Sequence, residues 1–469
     1  MTDWIDRPLE AIAAALRARK ISASELTEQA IVRHRRWDGE LNAYKAWNEE
    51  NARLLAAAAD AAFAAGLDHG PLQGIPVSVK DLYGVVGYPT FAGTPKRLPP
   101  DWEREGAMVT ALRQNAAVIA GKTHTVEFAF GGLGVNNHWG TPRNPWDSRE
   151  HRVPGGSSAG AGVSLAEGSA LVAFGSDTGG SVRLPASFTG NAGLKVTIGR
   201  WSASGIVPLS PTYDTPGILA RTVADLAFAF SALDPMARGL AQASPVIEPA
   251  DISGVRIGVT DDFFWDDLSP GIGDQVSAAI EALSAAAAQF VSISFPEPSG
   301  LGGTTVGSIA GAEVHAFLSD ELPDWLDTLD PVVAPRIRAG GEASAGEYLT
   351  QRKRASELAR AANARLADVD VVAIPTTAKT PPKLSDVVEP DSYREANIRA
   401  LRNTIPANLL ELCAVTLPVG LDEEGMPVGL QLLARGHSEE RLIAVALAVE
   451  RILGTSAERF GRPPLGGAG

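Results

Sequence analysis

A chain of 469 residues that is 45% hydrophobic and 20% charged can bury a sizeable core, which excludes a disordered or fibrous class. A formal charge of −14 argues against a nucleic-acid surface, because the most basic stretch is only Arg33-His34-Arg35-Arg36. One cysteine, Cys413 in the apolar run LLELCAVTLP, excludes an internal disulfide and reads as a buried, inert thiol.

The N-terminal residues MTDWIDRPLE carry no basic leader followed by an apolar run, and no uncharged apolar stretch approaches a membrane span. A cytoplasmic location is expected, with neither a membrane nor a nucleic acid as partner. Residues 8 to 66 read as helical: Ser22-Ala23-Ser24-Glu25 has capping-box form, and Asn51 to Ala65 is mostly alanine.

From residue 70 onward, short apolar runs bounded by Gly and Pro predict strands. They are Ile75–Val79, Val118–Ala120, Ala170–Phe174, Val255–Val259, Val291–Ile293, Val369–Ile374, Ala414–Leu417 and Gly429–Leu433. Helical patterns at Ala107–Asn115, Val223–Leu233 and Gln275–Gln289 lie between several of them. Pro235 to Asp251 reads as a loop too short to be an interdomain linker. The alternation predicts an α/β protein: a single large domain with a central mixed, mostly parallel β-sheet covered by helices on both faces.

Two glycine loops carry the strongest chemical signal, PGGSSAG at Pro154–Gly160 and GSDTGGSVRLPA at Gly175–Ala186. Ser181 follows an apolar strand and two glycines, so backbone N–H groups of Thr178, Gly179, Gly180 and Ser181 can converge on an oxyanion. Asp177 and Arg183 bracket that serine and can pair, clamping the loop. A serine needs a base, and neither loop holds a histidine.

Lys80, in GIPVSVKDLYG, is the candidate base. Buried at a strand end, it would lose its charge readily and accept a proton. Left exposed, it would instead pair with Asp81. Gly121-Lys122-Thr123 lacks the earlier glycine of a phosphate loop, having Ala116 there, and the seven histidines form no metal-ligand pair. No metal or cofactor is expected.

Taken in order, PVSVKD, PGGSSAG and GSDTGGSVRLPA resemble the amidase signature family of serine hydrolases. The resemblance runs from about residue 8 to residue 455, and is supported by residues 193–227 and 417–434. It implies a single amidase domain over residues 1–469. The helical N-terminal segment is about 1–66, the catalytic core about 70–235, the variable pocket region about 236–400 and the C-terminal core about 401–455.

It further implies a Ser-cisSer-Lys triad. Ser181 is then the nucleophile, Ser157 the bridging serine after a cis peptide from Gly156, and Lys80 the base, with Ser158 as rival for the bridge. The reaction implied is hydrolysis of a carboxamide or related C–N bond of a small molecule, releasing ammonia or an amine. A glutamine-hydrolysing component of a tRNA-dependent amidotransferase complex is the alternative, and a non-catalytic binding protein a third. The amidotransferase branch implies an acidic residue where this chain has Leu401. Phe128, Phe130, Trp139 and Leu401 are the expected pocket residues, and a homodimer is left open.

Overall fold

The computed structural model describes residues 3–237, 246–260, 263–302 and 306–466. Eleven strands form one sheet. In chain order they are β1 (Tyr44–Trp47), β2 (Pro76–Lys80), β3 (Val118–Thr123), β4 (Val172–Asp177), β5 (Ala192–Lys195) and β6 (Thr215–Ala220), then β7 (Arg256–Val259), β8 (Gln289–Ser292), β9 (Val371–Pro375), β10 (Cys413–Leu421) and β11 (Pro427–Ala434). Their spatial order is β1-β3-β2-β4-β6-β5-β10-β11-β9-β7-β8.

All eight predicted strands are present. The sheet is mixed, as the alternation implied, but it is not mostly parallel. Six of its ten pairings are antiparallel, against four parallel. Parallel pairing needs a long crossover, whereas short returns such as Asp422–Met426 between β10 and β11 join antiparallel neighbours.

Three strands lay outside the expectation. β1 interrupts the N-terminal helical region, where Asn42 ends one helix in the left-handed conformation and Asn48 caps the next through its side chain. β5 and β6, AGLK and TPGILA, hold too much Gly and Pro to read as strands, yet both are fully buried in the sheet. The predicted loop at Pro235–Asp251 is helical through Ala237, and 238–245 lie outside the described residues.

Strand alternation sorts the two faces. Val172 and Phe174 of β4 join the large core on which helices Val223–Ala237 and Glu439–Leu453 pack. Ala173 and Leu219 join a smaller cluster with Ala161, Leu165, Val182 and Ala186, from helices Ala161–Glu167 and Arg183–Phe188 and the residue before the second. On β2 the same alternation sends Val77 and Val79 to the large core and Ser78 to the second face, where it meets Ser164 at 3.0 Å. Lys80 shares the phase of Ser78, so both glycine loops surround its end of the strand. Among the described residues no helix is long and apolar enough to cross a membrane.

Candidate active site

Lys80 closes β2 and is completely buried. Asp81, one residue on, has the opposite phase and pairs with Lys122 at 2.9 Å, which leaves the Lys80 ammonium free of that carboxylate. Lys80 Nζ instead lies 2.7 Å from Ser157 Oγ and 3.0 Å from Ser176 Oγ. Burial brings its pKa down to about 7, against the opposing pull of Asp214 and Asp177. The same pairing with Asp81 accounts for Lys122, which completes an internal ion pair instead of a phosphate loop.

Ser157 follows a cis peptide from Gly156, and its carbonyl accepts the Val126 N–H at 3.0 Å. Ser158 turns away from the lysine: its hydroxyl approaches the Ser176 carbonyl at 3.5 Å, and its N–H donates to the Ser181 carbonyl at 3.3 Å. Of the two rivals, Ser157 therefore meets Lys80. Ser176, which also contacts Lys80, was not expected.

Asp177 ends β4 and anchors the nucleophile loop. Its carboxylate accepts from the N–H groups of Gly180 (2.9 Å) and Val182 (3.1 Å), from Arg183 Nε (3.0 Å) and Nη2 (2.9 Å), and from Asn408 Nδ2 (2.9 Å). Burial alone would raise its pKa, but the Arg183 guanidinium and the Asn408 amide hold the carboxyl well below the usual range. Arg183 in turn donates to the Thr404 carbonyl (2.8 Å), Gln431 Oε1 (2.7 Å) and Asn408 Oδ1 (2.6 Å).

The expected clamp is present, and it narrows the expected oxyanion set. The Gly180 N–H is committed to Asp177, so it is unavailable to a substrate oxygen. Gly180 itself is required for a different reason. Its φ is +129°, and a Cβ there would stand 2.1 Å from Thr404 Oγ1.

Asp214 is a second buried carboxylate behind this loop. It accepts from Thr178 Oγ1 at 2.5 Å and from the N–H groups of Leu209 (2.9 Å) and Ser210 (3.0 Å). Burial pushes its pKa up to about 6, against those donors and the Lys80 charge.

Ser181 opens onto a cavity of about 470 Å³ lined by Thr178, Gly179, Phe130 and Leu401, among others. Of the expected pocket residues, Phe130 and Leu401 thus line this cavity. Phe128 is instead a core residue, turned inward by a left-handed backbone at φ +46°. Trp139 is also absent from the lining. It is half-exposed, lies against Phe91 and covers the Lys45 ammonium at 3.3 Å from its ring centroid. Cys413 is buried, and burial pushes its thiol pKa up, which keeps it protonated and unreactive.

Comparison with known proteins finds related chains over nearly the whole length. The family model described as Amidase matches residues 25–443. A 2-amino-5-chloromuconic acid deaminase of Comamonas testosteroni is 50% identical over 97% of each chain. A glutamyl-tRNA(Gln) amidotransferase component from Gloeobacter violaceus is 35% identical, covering 92% of this chain and 93% of its own. A crystal structure of an amidase superposes with a TM-score of 0.85 at 32% identity, over 96% of this chain and 100% of that one.

Proposed function

The chain belongs to the amidase family, and from that premise we propose that Ser181, Ser157 and Lys80 act as nucleophile, proton shuttle and base. It is an amidase that hydrolyses a C–N bond. The observation that carries the residue roles is the 2.7 Å contact between Lys80 Nζ and Ser157 Oγ, at a lysine whose pKa burial brings to about 7. A lysine with that pKa is neutral often enough near neutral pH to take a proton.

In the proposed reaction neutral Lys80 accepts the Ser157 proton while Ser157 accepts that of Ser181. Ser181 Oγ attacks the carbonyl carbon of the substrate. Backbone N–H groups of Thr178, Gly179 and Ser181 receive the resulting oxyanion. Collapse of the adduct breaks the C–N bond, and the relay returns its proton to the departing nitrogen. Water then hydrolyses the Ser181 ester by the same relay, regenerating the hydroxyl and releasing the acid.

Ammonia is the leaving group we propose, supported by the deaminase named as a 50% identical relative. The amidotransferase reading is less well supported, since that relative is more distant at 35% identity. The cavity also presents the apolar Leu401 where that branch was expected to carry an acid.

A fluorophosphonate tests the nucleophile assignment. Incubation should label the native protein on the peptide containing Ser181 at about one equivalent, with parallel loss of ammonia release. Folded protein that remains unlabelled at Ser181, or is labelled elsewhere, would remove the assignment.

A further inference from the structure

The cavity beside Ser181 has an uneven charge. Among the described residues its lining includes two arginines, Arg336 and Arg394, and no aspartate or glutamate. In a chain of net charge −14 this is the reverse of the average surface. The remaining walls are largely apolar, with Phe130, Leu209, Ile398 and Leu401 among them.

Most buried or half-buried arginines in this fold have a carboxylate. Arg183 has Asp177, Arg200 has Asp234 and Glu439, and Arg152 has Asp147. Arg336 has none within ion-pair distance among the described residues. It sits in helix Ala334–Gly341, half-buried, and stacks over the Phe130 ring at 4.9 Å and the Tyr393 ring at 5.4 Å.

One Arg336 Nη donates to the Phe130 carbonyl, the guanidinium lies beside the Tyr393 hydroxyl, and its other Nη makes no hydrogen bond among the described residues. A guanidinium lodged against two rings, with one Nη uncommitted and no carboxylate beside it among the described residues, is placed to grip a planar anion in the cavity. Burying such a cation without a counter-charge is costly, and a bound carboxylate removes that cost. Arg394 is exposed and lines both this cavity and the open basin formed by Asp391, Glu395 and Arg399, so it stands at the mouth.

We propose that Arg336 binds a carboxylate of the substrate, and that this enzyme selects amides of small dicarboxylic acids over neutral amides. The inference rests on the amidohydrolase reading of Ser181 and adds its substrate class. Arg394, at the mouth, attracts the same anion without fixing its position. A neutral amide would leave the Arg336 guanidinium unpaired, and such unpaired polar groups discriminate strongly between otherwise similar substrates.

The test compares adipic acid monoamide with its methyl ester, two amides that differ at the far end by a charge and one methyl group. The protein should show kcat/KM at least about 30-fold higher for the acid, as expected for a charge-assisted hydrogen bond to a carboxylate. Arg336→Met should bring that ratio to within about threefold of unity, and Arg336→Lys should restore part of it. Arg394→Ala should lower it by only about threefold.

A ratio near one in the unmodified protein would overturn the proposal. So would an unchanged ratio in Arg336→Met, or a larger loss in Arg394→Ala than in Arg336→Met. If neither amide releases ammonia, calorimetric binding of adipic acid monoamide to Ser181→Ala protein separates the two ideas. Binding that weakens at least about 30-fold on adding Arg336→Met supports the carboxylate grip while the amidase reading fails for these amides. No binding, or binding indifferent to Arg336, overturns the grip itself.

Discussion

Replacing Ser181 with alanine is expected to lower kcat for ammonia release by about 10⁴-fold or more while the fold survives. The magnitude follows from loss of the attacking oxygen, which oxyanion donors and substrate binding alone do not replace. The fold should survive because Ser181 Oγ is not part of the clamp. Asp177 holds this loop through the backbone of Gly180 and Val182 and through Arg183, none of which involves the Ser181 hydroxyl. Steady-state turnover and the thermal midpoint check both halves. Residual activity above about a hundredth of normal would assign the nucleophile elsewhere.

The second large effect belongs to Lys80→Met. Turnover should fall about 10³-fold or more, since removing the base leaves Ser157 with nothing to take its proton. Stability should hold or rise. Methionine nearly fills the space of the lysine stem, and the change removes a desolvated amine from a completely buried site. A catalytic residue that costs stability is a common compromise, so a variant more heat-resistant yet inactive is the expected signature. If Lys80→Met keeps near-normal turnover at neutral pH, the lysine is not the base.

Much of this site was legible because its chemistry is written in short contiguous runs. Lys80, Ser157 and Ser181 each sit in a motif of a few residues, and the clamp between Asp177 and Arg183 spans only six positions. What supports those runs comes from far along the chain. Asn408 reaches Asp177 from 231 residues away, and Gln431 reaches Arg183 from 248. A single sequence holds no signal for such pairs, although each closes a hydrogen bond that a buried charge requires.

Ser176 escaped for a local reason. Strand alternation puts it in phase with Val172 and Phe174, on the face away from Ser78, so the pattern gave no hint that it would meet Lys80. Asp214 lies in a loop rich in Ser, Pro and Thr, which reads as a turn until its partner Thr178 is folded against it. Two sheet strands are hidden from the sequence for a similar local reason. β5 and β6 carry a glycine beside only a short apolar stretch, because glycine admits close packing of neighbouring elements, such as Ala186 and Thr416 against Gly193.

The variable region hid the pocket. Phe128 and Phe130 are two residues apart, and sequence could not separate them. A left-handed backbone turns the first into the core, and the second lines the cavity. Arg336 belongs to no motif, and only the cavity reveals that this cation stands among apolar walls with no carboxylate in the lining among the described residues.

The central claim is that a neutral Lys80 drives the relay, and the pH dependence of kcat/KM tests it most directly. The acidic groups near the lysine are Asp177, held ionised well below its usual range, and Asp214, with its pKa at about 6. Adipic acid monoamide is a suitable probe because its carboxyl stays ionised above pH 6. As pH rises, the neutral fraction of a lysine with pKa about 7 grows, so the rate should climb from pH 6 and level off above about 8. A rate that stays flat, or falls steadily, between pH 6 and 9 would contradict the mechanism.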